Sequence, residues 1–234
     1  MNFIRKIEVF GDSILKGIQV SRKDKRYVVD NNIDVELLGR KFSLEINNRS
    51  RFGCTVTKCA ALIDRFLQGS PDCRAVVMDL GGNDCDFAWD KISASPDAEH
   101  EPKTPVALFE ETYRAVIAKL RARGITPILT TLPPIDPQRY FEWFSRGLNA
   151  ENILRWLGDI TSIYRFQEMY SRAAERIARI TSAPLVDLRG AFLRHRRIEN
   201  LLCEDGVHPS TEGQAVITSA FVKFAEEYNF PAIN

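Results

Sequence analysis

Ile7-Glu8-Val9-Phe10-Gly11-Asp12-Ser13-Ile14 is the stretch on which the reading of this chain turns. Apolar and β-branched residues alternate from Ile4 to Phe10, the pattern of a strand. Gly11 then lets the backbone turn sharply, and a serine follows two residues later. Carboxyl ends of strands are where ligands bind in an open α/β sheet. Ser13 therefore stands either to act on a ligand or to cap the element that follows, since serine is a favoured N-cap.

Further strands read outward from this one. Arg74 to Leu80 holds the apolar run Ala75-Val76-Val77-Met78, as expected of a parallel strand covered on both faces. Ser43 to Asn48, Thr126 to Leu132 and Pro184 to Leu188 complete a set of five. Helical stretches separate them: a turn at Val35 to Phe42, then Val56 to Gln68, and Thr161 to Ile180. Phe109, Tyr113, Val116, Ile117 and Leu120 share one helical stripe, and Ile217, Phe221, Phe224 and Tyr228 share another. Ser13 to Val20 reads as a short helix or turn, Ser21 to Asp30 as an exposed loop, and Asp90 to Lys103 as a polar loop. The alternation predicts one α/β domain over residues 1–234, with three α/β/α layers, a five-stranded mostly parallel sheet and right-handed crossovers.

Composition narrows the function class. The 234 residues are 44% hydrophobic and 27% charged, ordinary for a globular chain with a full core. A net charge of +1 gives no footprint for nucleic acid or an anionic membrane. The five cysteines form no CxxC pair and no zinc-like spacing, so they read as small buried thiols of a reducing compartment. The first strand begins beside Met1 and no apolar run reaches membrane-spanning length, which together lead to an expected cytoplasmic location.

Of the three histidines, His100 and His195 sit in charged surroundings and read as surface residues. His208 differs, because Asp205 precedes it by three positions across a glycine-containing turn. That spacing lets a carboxylate hold one ring nitrogen and leaves the other free as a base. Pro209 fixes the backbone as extended and Ser210 is placed to cap the last helix. Asp187, also at a strand end, is the rival carboxylate. Gly81-Gly82-Asn83-Asp84 closes a buried strand as Gly11-Asp12-Ser13 does, so Asn83 offers an amide donor there, or else a simple turn residue. Gly53 offers a bare backbone N–H, or else a turn.

With these blocks in order, the chain resembles the SGNH hydrolases, the GDSL esterase/lipase family. Gly11-Asp12-Ser13-Ile14 is similar to the nucleophile block, with isoleucine where the family name has leucine. Gly53 stands for the second block, Gly81-Gly82-Asn83-Asp84 for the third, and Asp205-Gly206-Val207-His208-Pro209 for the last. The resemblance implies a flavodoxin-like hydrolase fold and a Ser13–His208–Asp205 triad. It also implies an oxyanion hole from the Ser13 and Gly53 N–H groups and the Asn83 side chain. The implied reaction is hydrolysis of a small-molecule carboxylic ester through an acyl-enzyme, needing no metal and no cofactor. Lipid esters, thioesters, carbohydrate acetyl esters and aryl esters all fall within the family. Two rivals stand beside this: a non-catalytic binding module, and a metal-dependent phosphoesterase with Asp12, Asp84, Asp205 and His208 as ligands.

The insertion at about 134–160 breaks the pattern. Tyr140, Phe141, Trp143, Phe144, Trp156 and Leu157 are too many large apolar groups to leave in water. They read as added core or a dimer interface, or as a partly helical flap over the pocket, with Ile153, Trp156, Leu157, Ile160 and Tyr164 on one face. Asp12, Asp84, Trp143 and Trp156 are thus the expected substrate contacts. The sequence leaves the oligomeric state open.

Overall fold

The computed structural model describes residues 5–21, 23, 25–29 and 35–228. In chain order these form β1 (Arg5–Gly11), β2 (Ile18–Val20), β3 (Tyr27–Val29), α1 (Val35–Phe42), β4 (Leu44–Asn48), α2 (Val56–Gln68) and β5 (Ala75–Asp79). Next come α3 (Trp89–Ala94), α4 (Val106–Ala122), β6 (Thr126–Thr130), α5 (Pro137–Phe144), α6 (Ala150–Leu157) and α7 (Thr161–Thr181). The chain continues through β7 (Leu185–Val186), α8 (Leu188–Leu193), a 3₁₀ turn (Ile198–Leu201) and α9 (Thr211–Glu227).

Five strands make one parallel sheet in the order β4-β1-β5-β6-β7. Side chains alternate across a strand, and β5 shows the consequence, with all five residues buried. Val76 and Met78 join the core under α2, α4 and α7, with Phe109, Tyr113 and Tyr170. Ala75 and Val77 join the opposite core under α8 and α9, with Phe192 and Ile217. A strand buried on both faces has no room for polar alternation, which is why its sequence is a continuous apolar run. The chain leaves β1 toward β4 on one side and then returns to β5 on the other. That reversal opens a crevice at the carboxyl ends of β1 and β5, the place where open α/β sheets bind ligands.

A third cluster lies outside the two sheet faces. Phe87, Trp89 and Ile92 pack with Phe141, Ile153, Leu157 and Ile163. The insertion is thus two short helices on α3, with a small core of their own. Among the described residues no helix is long and apolar enough to cross a membrane.

Three local expectations are corrected. The stretch after Ser13 is a turn followed by β2, which pairs antiparallel with β3 inside the expected exposed loop. Asp90 to Lys103 contains α3, because Trp89 and Ile92 find apolar partners that the polar composition hid. The last strand shrinks to two residues, and Asp187 ends it by capping α8. Ile4 lies outside the described residues.

Candidate active site

Gly11 ends β1 where the chain is crowded. A Cβ there would meet the Ser50 hydroxyl at 3.1 Å and the Asp79 and Leu15 Cβ atoms at 3.3 Å, so any larger residue would have to push these neighbours aside. The turn is closed by Lys16 N–H to the Asp12 carbonyl (3.1 Å) and Ile18 N–H to the Ser13 carbonyl (2.9 Å). Ser13 stands on it, 6% exposed.

The loop after the 3₁₀ turn comes to meet it. Asp205 Oδ1 accepts the N–H groups of Val207 and His208, both at 3.1 Å, which wraps the loop around its own carboxylate. Cys203 N–H to the His208 carbonyl (2.7 Å) and the Ser210 cap of α9 fix its ends. Gly206, at φ +71°, lies flat against the first turn of α5: a Cβ would come within 2.5 Å of the Asp136 carbonyl. The other Asp205 oxygen lies 2.5 Å from His208 Nδ1, and His208 Nε2 lies 2.9 Å from Ser13 Oγ. Asp187 is elsewhere, accepting the Gly190 N–H at 2.8 Å as the cap of α8.

Two loops flank the serine. Arg51 N–H donates to the Gly11 carbonyl at 3.0 Å, pinning the loop that carries Phe52 and Gly53 to the end of β1. Among the described residues the N–H groups of Ser13 and Gly53 have no acceptor. The Asn83 amide donates to Asp12 Oδ2 at 2.9 Å, and Asp12 Oδ1 accepts the Ile14 N–H at 2.8 Å. Burial pushes the Asp12 carboxyl well above its ordinary range, with Asp79 and then Asp84 adding like charge. Burial likewise lifts Asp79 and Asp84 to about 6 each.

A pocket of about 230 Å³ opens from Ser13 and His208. Phe87, Trp89, Leu132, Ile135, Ile163 and Phe166 supply apolar wall. Its polar groups are engaged with one another. Asp86 accepts from Trp89 Nε1 and the Tyr140 hydroxyl, both at 2.8 Å, and from Lys103 Nζ at 2.7 Å. Gln167 donates to the Pro133 carbonyl and accepts from Arg189. Over the histidine lies an aromatic cover, Tyr27 at 5.0 Å between ring centroids and Phe52 stacked at 6.1 Å. Burial, then the Asp205 carboxylate, pushes the Tyr27 phenol up to about 12.

Set against the sequence, the structure brings Ser13, Asn83, Asp205 and His208 to one crevice, with Gly53 in the adjoining loop. Asp12 borders the pocket, but the contacts above occupy both its oxygens. Three expected substrate contacts lie elsewhere. Asp84 is wholly buried and accepts the Val56 N–H at the start of α2. Trp143 packs beside Tyr27 under the Arg146 guanidinium, and Trp156 packs behind Phe87 and Phe166. Tyr27, Phe52, Asp86 and Phe87 were missed. For the last two a signal existed: Cys85-Asp86-Phe87-Ala88-Trp89 directly follows Asn83-Asp84 and must leave the crevice along its wall. Among the described residues no three His, Cys, Asp or Glu side chains are grouped to hold a metal ion.

A serine, an imidazole and a carboxylate meet at the switch point of a flavodoxin-like sheet, where an open α/β sheet binds its ligand. The chain belongs to the GDSL-like lipase/acylhydrolase family, whose model matches residues 9–216, and it is an ester hydrolase. No curated protein matches the chain. Solved structures match over nearly its full length. A lipase/acylhydrolase from Enterococcus faecalis is 22% identical, with 98% of this chain and 100% of that one covered and a TM-score of 0.66. Axe2, an acetylxylan esterase from Geobacillus stearothermophilus, is 19% identical, with both chains fully covered and a TM-score of 0.65. An SGNH hydrolase (so described, provisionally) from Slackia heliotrinireducens is 14% identical, covering 94% and 98%, with a TM-score of 0.61. These likenesses show the fold.

Proposed function

We propose that the protein hydrolyses a carboxylic ester through an acyl-enzyme on Ser13. The observation that carries this is the unbroken run of hydrogen bonds from Ser13 Oγ through His208 to Asp205, at the mouth of an apolar pocket. His208 Nε2 takes the serine proton as Oγ attacks the carbonyl carbon. Asp205 keeps the other proton on Nδ1 and stabilises the imidazolium that forms. The carbonyl oxygen becomes an oxyanion facing the N–H groups of Ser13 and Gly53 and the free N–H of the Asn83 amide. Each such donor is worth about 3 kcal/mol of barrier. The tetrahedral intermediate collapses, His208 returns the proton to the leaving alcohol, and the acyl group stays on Oγ. Water, deprotonated by the same nitrogen, then releases the acid.

The apolar walls favour an acyl chain over a sugar as the occupant of the pocket. Its polar groups are already satisfied and offer a sugar hydroxyl little, whereas each buried CH₂ gains about 0.8 kcal/mol. Carbohydrate acetyl esters, the substrates named for the Geobacillus neighbour, are the second reading. The phosphoesterase reading is disfavoured because Asp12 and Asp84 are spent on Ile14, Asn83 and Val56. The test is Ser13→Ala, which should keep the circular dichroism spectrum and lose nearly all p-nitrophenyl ester hydrolysis. A fluorophosphonate should label the parent chain at Ser13; equal labelling of the alanine variant would sink the assignment.

A further inference from the structure

We propose that Asp12 is a positioning residue that aims the Asn83 amide at the oxyanion. This rests on the acyl-enzyme reading and adds a residue that the triad and the three donors leave out. Asp12 precedes the nucleophile, is 2% exposed, and is spent on two contacts. Through Oδ1 it holds the Ile14 N–H, fixing the turn that carries Ser13. Through Oδ2 it holds one N–H of Asn83. A primary amide has two N–H bonds about 120° apart, so fixing one fixes the other. The carboxylate is thus a rigid link between the nucleophile's turn and a donor on a different strand end.

Two features show that the link is built. Gly82 leaves the space it needs, since a Cβ there would lie 3.2 Å from Asp12 Oδ2. The site is also costly for a charge, being buried and facing Asp79 and Asp84, while the Ile14 and Asn83 donors pull the other way. Buried polar groups are kept where they are bonded, and here the bonds lead to the reacting atoms.

Asp12→Asn separates the two contacts. The asparagine carbonyl oxygen can still accept the Ile14 N–H, but its NH₂ replaces the oxygen that faced Asn83. Two donors cannot bond, so Asn83 must turn its amide over and withdraw its N–H from the oxyanion. The expected result is a fall in kcat of about 100-fold, the scale of one lost donor, with KM within about threefold, as for an interaction made only in the transition state. Asn83→Ala should fall similarly. The double variant should lie within about threefold of Asn83→Ala alone, because Asp12 acts through Asn83. Two outcomes overturn the proposal: kcat of Asp12→Asn within twofold of the parent, or the full 100-fold loss repeated in the Asn83→Ala background. If Asp12→Asn does not fold, Gly82→Ala serves, since it crowds the same carboxyl group and leaves both its oxygens in place. Its loss of kcat should vanish once Asn83 is alanine, and an equal loss in both backgrounds overturns the proposal. Fluorophosphonate labelling of the parent at Ser13 tests the acyl-enzyme reading separately.

Discussion

Asp79→Asn should stabilise the protein at neutral pH and do almost nothing in acid. Asp79 ends β5 opposite Gly11 and is 1% exposed. One oxygen accepts the Thr130 hydroxyl at 2.6 Å and the other is buried without a partner among the described residues. Burial lifts its pKa from an ordinary 3.8 to about 6. The folded state therefore holds this proton more tightly than the unfolded chain does. The stability that comes from holding it is complete below pH 3.8 and is lost as pH rises through 6. A shift of about two units corresponds to roughly 3 kcal/mol at most, and sharing of the effect with Asp12 reduces that to about 1–3 kcal/mol. Asparagine keeps the acceptor for Thr130 and never carries the charge. Urea unfolding should show the variant about 1–3 kcal/mol more stable at pH 7.5, a rise of about 2–12 °C in Tm for a chain of this size. At pH 4 the two proteins should nearly coincide. An equal gain at both pH values, or a loss at pH 7.5, would refute the reasoning.

Asp205→Asn should lower kcat by about 10⁴-fold, the cost of the wrong histidine tautomer, while Asp187→Asn should leave kcat within about twofold and Tm nearly unchanged, since asparagine caps a helix about as well as aspartate; steady-state kinetics and a melt on each variant decide this. Phe166→Ala or Trp89→Ala should cut the hexanoyl-to-acetyl ratio of kcat/KM about tenfold, at 1–3 kcal/mol of lost apolar contact, and Trp156→Ala, behind that wall, should change the ratio far less. Tyr27→Ala should uncover His208 and reduce kcat/KM about tenfold for every acyl length, whereas a change confined to long chains would place Tyr27 in the acyl pocket instead.

The sheet was legible because buried parallel strands leave unmixed apolar runs, as Ala75–Met78 does. His208 was legible as the candidate base because its carboxylate partner is local: Asp205 and His208 share one turn, and three-residue spacing already constrains their geometry. Tyr27 was not legible. Its strand is three residues long and all three are exposed, so no burial pattern marks it, and its place over His208 depends on a hairpin closed by tertiary contacts. The tryptophans of the insertion show a different limit. Periodicity put Ile153, Trp156 and Leu157 on one helix, α6, but Ile160 and Tyr164, expected on the same face, fall beyond its Gly158 cap, at the start of α7; and a shared face does not name what it covers. Here it covers Phe87, Ile92 and Phe166 rather than the pocket itself.

Gly206 carries a consequence for engineering. With no side chain between them, the Asp205–His208 loop and the start of α5 touch backbone to backbone, and Asp136 N–H donates to the Gly206 carbonyl at 2.8 Å. One turn later the same helix sends the Tyr140 hydroxyl to Asp86 on the pocket wall. Residues 134–160 are therefore not an interchangeable cassette. A segment transplanted from a relative to alter substrate range would have to reproduce that bare contact, or His208 would shift along with the new wall.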